Sequence, residues 1–259
     1  MALCHRLVLT PTLASGFYSA FGRARVGASD YEDAAEVLVS ACGSDVVLFT
    51  GGPLQNLGAA LRDPRFQLGM RLGQGGFAGE PCARAAGVTL FEKFRGRDFC
   101  RTWNFGGDVR STELALASPA IGRRVLVGKN ICHRDDNRYS SALHDRIRSA
   151  AARTGHKQQQ KALRLLHRCM SEYGGKRKKG KLLHDPLALS ACIDESIFTF
   201  VEAKVKYDRQ SRGWGSFPKE GTGTRVAVDF SRPNASWRRY SMSKPQRHLT
   251  PQHLTVALL

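Results

Sequence analysis

Acid is scarce in this chain. Among 259 residues, 22 are Asp or Glu against 40 Lys or Arg, and the net charge at pH 7 is +18. The shortage is sharpest at the start, where Asp30 is the first acid. Long apolar runs are also missing. Nothing approaches the roughly 20 consecutive apolar residues that a membrane-spanning helix needs, so no transmembrane helix is expected. The seven cysteines, at 4, 42, 82, 100, 132, 169 and 192, form no CxxC pair and no metal-type cluster. An odd, scattered set reads as reduced thiols in a cytosol-like compartment, with Cys42, Cys132 and Cys192 as core residues. GxGxxG and GxxxxGK[ST] are both absent, which disfavours a phosphate cradle. There is no serine nucleophile elbow and no H-x3-H pair, and Trp103, Trp214 and Trp237 do not form a stacking series.

What is present is an ordinary globular composition, 42% apolar and 24% charged, long enough to bury one sizeable core. The positive charge favours weak binding of polyanions. Its densest block, Lys176-Arg177-Lys178-Lys179 between glycines, reads either as a nuclear-localisation or RNA-binding patch or as a solvated loop. Residues 1–29 carry Arg6, Arg23 and Arg25 without acid, the composition of an organelle transit peptide or of an arbitrary chain start. Three segments follow: 1–29, irregular or targeting-like; 30–232, an α/β domain; and 233–259, a basic tail expected to be disordered.

Within 30–232 the grammar is strand, glycine turn, helix. A helix capped by Asp30 places Ala34, Val37, Leu38 and Ala41 at helical spacing. Asp45–Thr50 is a continuous apolar run of the kind buried on both faces of a parallel sheet. Gly51-Gly52-Pro53 turns it into a second helix. A weaker strand over 68–72 ends in Gln74-Gly75-Gly76, a helix starts at Asp108, and Arg123–Gly128 is another buried strand. Residues 138–173 read as two helices broken near Gly155, with Leu163, Leu166 and Met170 facing inward. A further helix starts with Asp185 as cap and Pro186 in its first position. Strands are expected over 197–205 and 225–230. The fold class is therefore α/β, a mostly parallel sheet flanked by helices, with ligands expected beyond the carboxyl ends of its strands.

Four segments sit at those ends. Phe49-Thr50-Gly51-Gly52-Pro53-Leu54-Gln55-Asn56-Leu57 resembles the T-G-P-L-T-N-L turn of the inosine/uridine-preferring nucleoside hydrolase family. Gln74-Gly75-Gly76 resembles its M-G-G turn, and Thr102-Trp103-Asn104-Phe105-Gly106-Gly107-Asp108 its E-F-N-x-x-x-D segment. Leu183-His184-Asp185-Pro186-Leu187-Ala188 resembles its V-H-D-P-L-A helix start. All four occur in family order.

The resemblance implies a Rossmann-like sheet and hydrolysis of a ribonucleoside's N-glycosidic bond, as in purine and pyrimidine salvage, with a calcium ion activating water and gripping ribose hydroxyls. It assigns Asp185 and the Gly51 carbonyl to calcium. Asn104, Gln74 and Asp185 fall to the ribose, and His184 to the leaving base. It also implies a cytoplasmic protein and leaves room for a homo-oligomer. The family's opening strand and its D-x-D-P-G-x-D-D segment have no counterpart in residues 1–30, and its catalytic Glu is Thr102 here. Two other readings stay open: a non-catalytic nucleoside- or sugar-binding homologue, and a basic nucleic-acid-associated protein. Residue by residue, His184-Asp185-Pro186 also reads as a capped helix start, Asn104 as a satisfied loop amide, and His133 as structural.

Overall fold

The computed structural model describes residues 33–174 and 180–231, together with Leu254–Thr255. They fall into two compact units, of which the smaller comprises the described residues of 139–181 and the larger the remainder.

In the larger unit the elements alternate as the apolar runs require. Helix α1 (Ala34–Ala41) is capped by Asp33, whose carboxylate accepts from the Ala35 amide at 2.7 Å. The cap is Asp33 rather than Asp30, which lies outside the described residues. Strand β1 (Val47–Thr50) leads into α2 (Gln55–Ala60), and β2 (Leu68–Gln74) into α3 (Gly79–Ala85). Then come α4 (Trp103–Gly107), α5 (Val109–Ala117), β3 (Ile121–Val127) and α6 (Lys129–Cys132). After 181 the chain adds α9 (His184–Ile193), β4 (Phe198–Asp208), β5 (Gly213–Pro218), β6 (Thr224–Phe230) and β7 (Leu254–Thr255). In the smaller unit, α7 (Ser141–Arg153) and α8 (Lys157–Gly174) are the two helices expected around Gly155. Leu163 and Met170 are half-buried there, but Leu166 is 42% exposed, on the outer side of α8.

The strands form one sheet in the order β5-β4-β6-β3-β2-β1-β7. From β6 to β7 every pairing is parallel, whereas β4 runs antiparallel to both β5 and β6. Alternation along the central strands explains why they read as unbroken apolar runs. Leu48 and Leu126 point into a cluster with Leu54, Leu57, Phe105 and Trp214, while Phe49, Leu72, Val125 and Val127 point into one with Leu187, Ala188 and Ala191 of α9. Helices thus cover both faces, and the sheet's open feature is its C-terminal edge, where β1, β2 and β3 end at Thr50, Gln74 and Val127.

Two expectations need correction. Helix α9 begins at His184 with Leu183 in the capping position and no side-chain cap, so Asp185 and Pro186 lie inside the first turn rather than at its border. Cys42 is half-buried, whereas Cys82, not expected in the core, is fully buried beside Cys132 and Cys192 in that class. Strand β5 was not anticipated at all. The run Lys176–Lys179 lies outside the described residues, as do 1–29 and, apart from β7, the tail 233–259. Among the described residues no helix is long and apolar enough to cross a membrane.

Candidate functional site

The C-terminal ends of β1, β2 and β3 collect the five residues singled out from sequence. Gly51 follows β1 directly, and it faces α9. A Cβ at position 51 would lie 3.2 Å from Asp185 Oδ1, so a side chain there would crowd the carboxylate. Gln74 ends β2. Its backbone carbonyl and its side-chain Oε1 both accept from Asn104 Nδ2, at 2.9 and 2.7 Å. Asn104 is held at this distance because α4 and α5 are separated by Asp108, whose carboxylate caps α5 through the Ser111 amide and hydroxyl, each at 2.9 Å. Asp108 thus fixes the loop and caps the helix expected to start there.

Cys132, at the end of α6, connects the two halves. Gln74 Nε2 donates to its Sγ at 3.6 Å, and the thiol reaches the His184 carbonyl at 3.8 Å. Burial pushes this thiol up to about 12, with the Asp185 carboxylate raising it further and the Gln74 contact opposing. It is a neutral bridging group, not a nucleophile. Asn104, Gln74, Cys132, His184, Asp185 and Gly51 therefore form one continuous set drawn from five distant segments.

His133 adds a neighbour that residue spacing alone did not assign. Its ring centroid is 4.9 Å from that of His184, and Lys93 Nζ lies 2.7 Å from its Nδ1. Burial first, then the charges of Lys93, His184 and Lys129, bring His133 down to about 4. It is neutral near pH 7, with Nδ1 accepting from the lysine and the remaining proton on Nε2. Asn130 is structural: its Oδ1 accepts from the Ala78 amide and its Nδ2 donates to the Ala227 carbonyl, at 3.2 and 2.9 Å. Trp103, beside Asn104, is 85% exposed.

Among the described residues the donor set is too small for calcium. Six to eight oxygens are expected around that ion. Asp185 and the Gly51 carbonyl supply two residues' worth, and among the described residues no three His, Cys, Asp or Glu side chains come together as a metal site. What the arrangement can do is hydrogen-bond adjacent hydroxyls with an amide, a carboxylate and a backbone carbonyl, next to a pair of imidazoles.

No protein-family model matches the chain, and no curated protein is similar to it in sequence. A solved structure is similar in fold: an inosine-uridine preferring nucleoside hydrolase from Bacillus anthracis, at 15% identity and a TM-score of 0.51. The likeness covers 79% of this chain and 61% of that protein, so the chain spans under two thirds of its length. The chain has the mixed α/β sheet of a nucleoside hydrolase fold, and at this identity the fold is what the likeness establishes.

Proposed function

We propose that this chain is a nucleoside hydrolase homologue whose cleft at the strand ends holds a ribonucleoside by its ribose and acts on the N-glycosidic bond. One observation carries the reading: the connected set from Asn104 through Gln74 and Cys132 to His184, Asp185 and Gly51. Four segments far apart in sequence, each chosen for its likeness to one family, meet at the edge of the sheet where such folds bind ligands.

In this reading Asn104 Oδ1, whose amide nitrogen is already committed to Gln74, and the Asp185 carboxylate both accept from the ribose hydroxyls. Departure of the base leaves positive charge on the ribose, which the Asp185 carboxylate stabilises until water adds at C1′ and gives up its proton to solvent. His184 lies where the leaving base gains a proton, and the neutral ring of His133 keeps a second positive charge away from it. Trp103 offers an exposed aromatic face at the rim. No step is routed through calcium, because Asp185 and the Gly51 carbonyl alone offer too few oxygens for it.

A second reading, ribonucleoside binding without turnover, is favoured by Asp185 being the single carboxylate of the set. Calorimetric titration with inosine and with uridine, paired with an assay for released base, separates the two. Binding with base release that disappears in Asp185→Ala supports the enzyme. Binding without release supports the binding protein. Absence of affinity for either nucleoside removes both.

A further inference from the structure

Arg71 lies on β2 and is completely buried. Among the described residues its Nε, Nη1 and Nη2 have no hydrogen-bond partner, and the same is true of the buried Thr50 hydroxyl. The charge that acts on the guanidinium is that of another arginine, Arg124, its register partner on β3. The face of the Phe105 ring, 5.4 Å away, is a weak substitute for an anion. A buried cation without hydrogen bonds or a counter-charge is among the most costly arrangements a core can contain.

The two orphaned groups converge. A Cβ on Gly73 would lie 2.6 Å from Arg71 Nη2 and 2.9 Å from Thr50 Oγ1, so both crowd the bare side of that glycine. Gly73 and Thr50 are themselves register partners on β2 and β1. The residues after them, Gln74 and Gly51, are partly exposed and belong to the connected set at the strand ends. The pair lies one residue beneath its floor.

We propose that this floor is an oxyanion site that takes a phosphate, with Arg71 donating its guanidinium N–H groups and Thr50 its hydroxyl. A planar fork of donors matches a phosphate better than any single ammonium would. Guanidinium and hydroxyl are both donors here, so together they select for an anion and against a second cation. The phosphate comes either as the free ion or as an ester on the sugar that the cleft holds. The second source rests on the ribonucleoside reading, the first does not.

The test is a set of thermal melts and calorimetric titrations on the full chain with sodium phosphate, ribose 5-phosphate, ribose and inosine, against sodium chloride at matched ionic strength. Phosphate or ribose 5-phosphate should raise the wild-type Tm by several degrees, and Arg71→Met should abolish that gain. Arg71→Lys should weaken binding at least tenfold. Thr50→Val should weaken it less. In phosphate-free buffer Arg71→Met should melt no lower than the wild type, since it removes an uncompensated charge and keeps the side chain's length. A tenfold preference for ribose 5-phosphate over phosphate identifies the ester as the source, and equal affinities identify the free ion. Phosphate binding undiminished in Arg71→Met, as general attraction to a basic surface would give, overturns the proposal. So does a large Tm loss in that variant, or cancellation of its effect by Asp30→Asn or Glu32→Gln, which would mean that the chain supplies its own counter-charge. Phosphate binding with no affinity for inosine would keep this site and remove the ribonucleoside reading, and the reverse would do the opposite.

Discussion

Arg71 and Arg124 stand side by side on adjacent parallel strands, both buried, and they are solved in opposite ways. Arg124 reaches the C-terminal end of α5, where its Nε donates to the Ala115 carbonyl at 2.9 Å and its Nη2 to that of Ser118. Carbonyls at a helix C-terminus lack intrahelical donors and carry partial negative charge, so the guanidinium serves as the cap. Arg71 points the other way along its strand, toward the cleft, and finds nothing comparable. One arginine is part of the scaffold. The other is held ready at the site.

The largest effect that would sharpen the contrast comes from exchanging each arginine for methionine. Arg124→Met should cost about 2–4 kcal/mol in urea unfolding, because it takes the guanidinium donors from the buried Ala115 and Ser118 carbonyls and leaves Ser118 only the longer contact from the Ile121 amide. Arg71→Met should be neutral or stabilising by about 1–4 kcal/mol in anion-free buffer. Equal losses in the two variants would break the comparison. Next in size is Asn104→Leu, which removes the donor to both oxygens of Gln74. Unfolding free energy should fall by about 1–3 kcal/mol, and affinity for inosine, read by calorimetry, by about tenfold or more. This would show whether the satisfied wall of the cleft, unlike its floor, serves both stability and recognition.

A smaller effect concerns pH. His133 is held down to about 4 from its usual 6.5, so between those values the unfolded chain binds a proton that the folded chain refuses. Stability should therefore be complete above pH 6.5 and decline as the pH falls toward about 4. His133→Asn should flatten that part of the profile. An unchanged slope would mean that another group governs it. The smallest effect is expected at Glu195, whose carboxylate bridges Arg123 and Arg225 at a partly exposed position. Glu195→Gln should cost only about 0–1 kcal/mol, a baseline for arginines that are paired near solvent.

The fold was legible where burial writes itself into composition. Runs such as Val46–Thr50 and Val125–Val127 face apolar clusters on both sides, and that requirement leaves no room for polar alternation. Strand β5 was invisible because Gly213, Gly215, Ser216 and Pro218 give it neither β-branched residues nor alternation. It is held by its hairpin pairing with β4 and by the bridge from Cys100 to Trp214, the latter a contact between positions far apart in sequence. Leu166 misled because helical spacing admits two neighbouring faces and sequence alone does not choose between them. The site's members were legible through motif likeness, but their connection through Cys132 was not, since a thiol that bridges looks like a thiol that packs. Arg71 was hidden for a plainer reason: an arginine in a strand ordinarily reaches solvent.

Asn130 has a consequence for how the cleft meets its ligand. With one side chain it joins the loop after β2 to β6, and beside it the Lys129 amide closes on the Gly76 carbonyl at 3.0 Å. The loops that form this wall are thereby cross-braced like adjoining panels of a frame. A ligand that fits arrives at a surface already set to its shape, so little ordering accompanies capture. One that is a few atoms too wide meets a wall that does not yield.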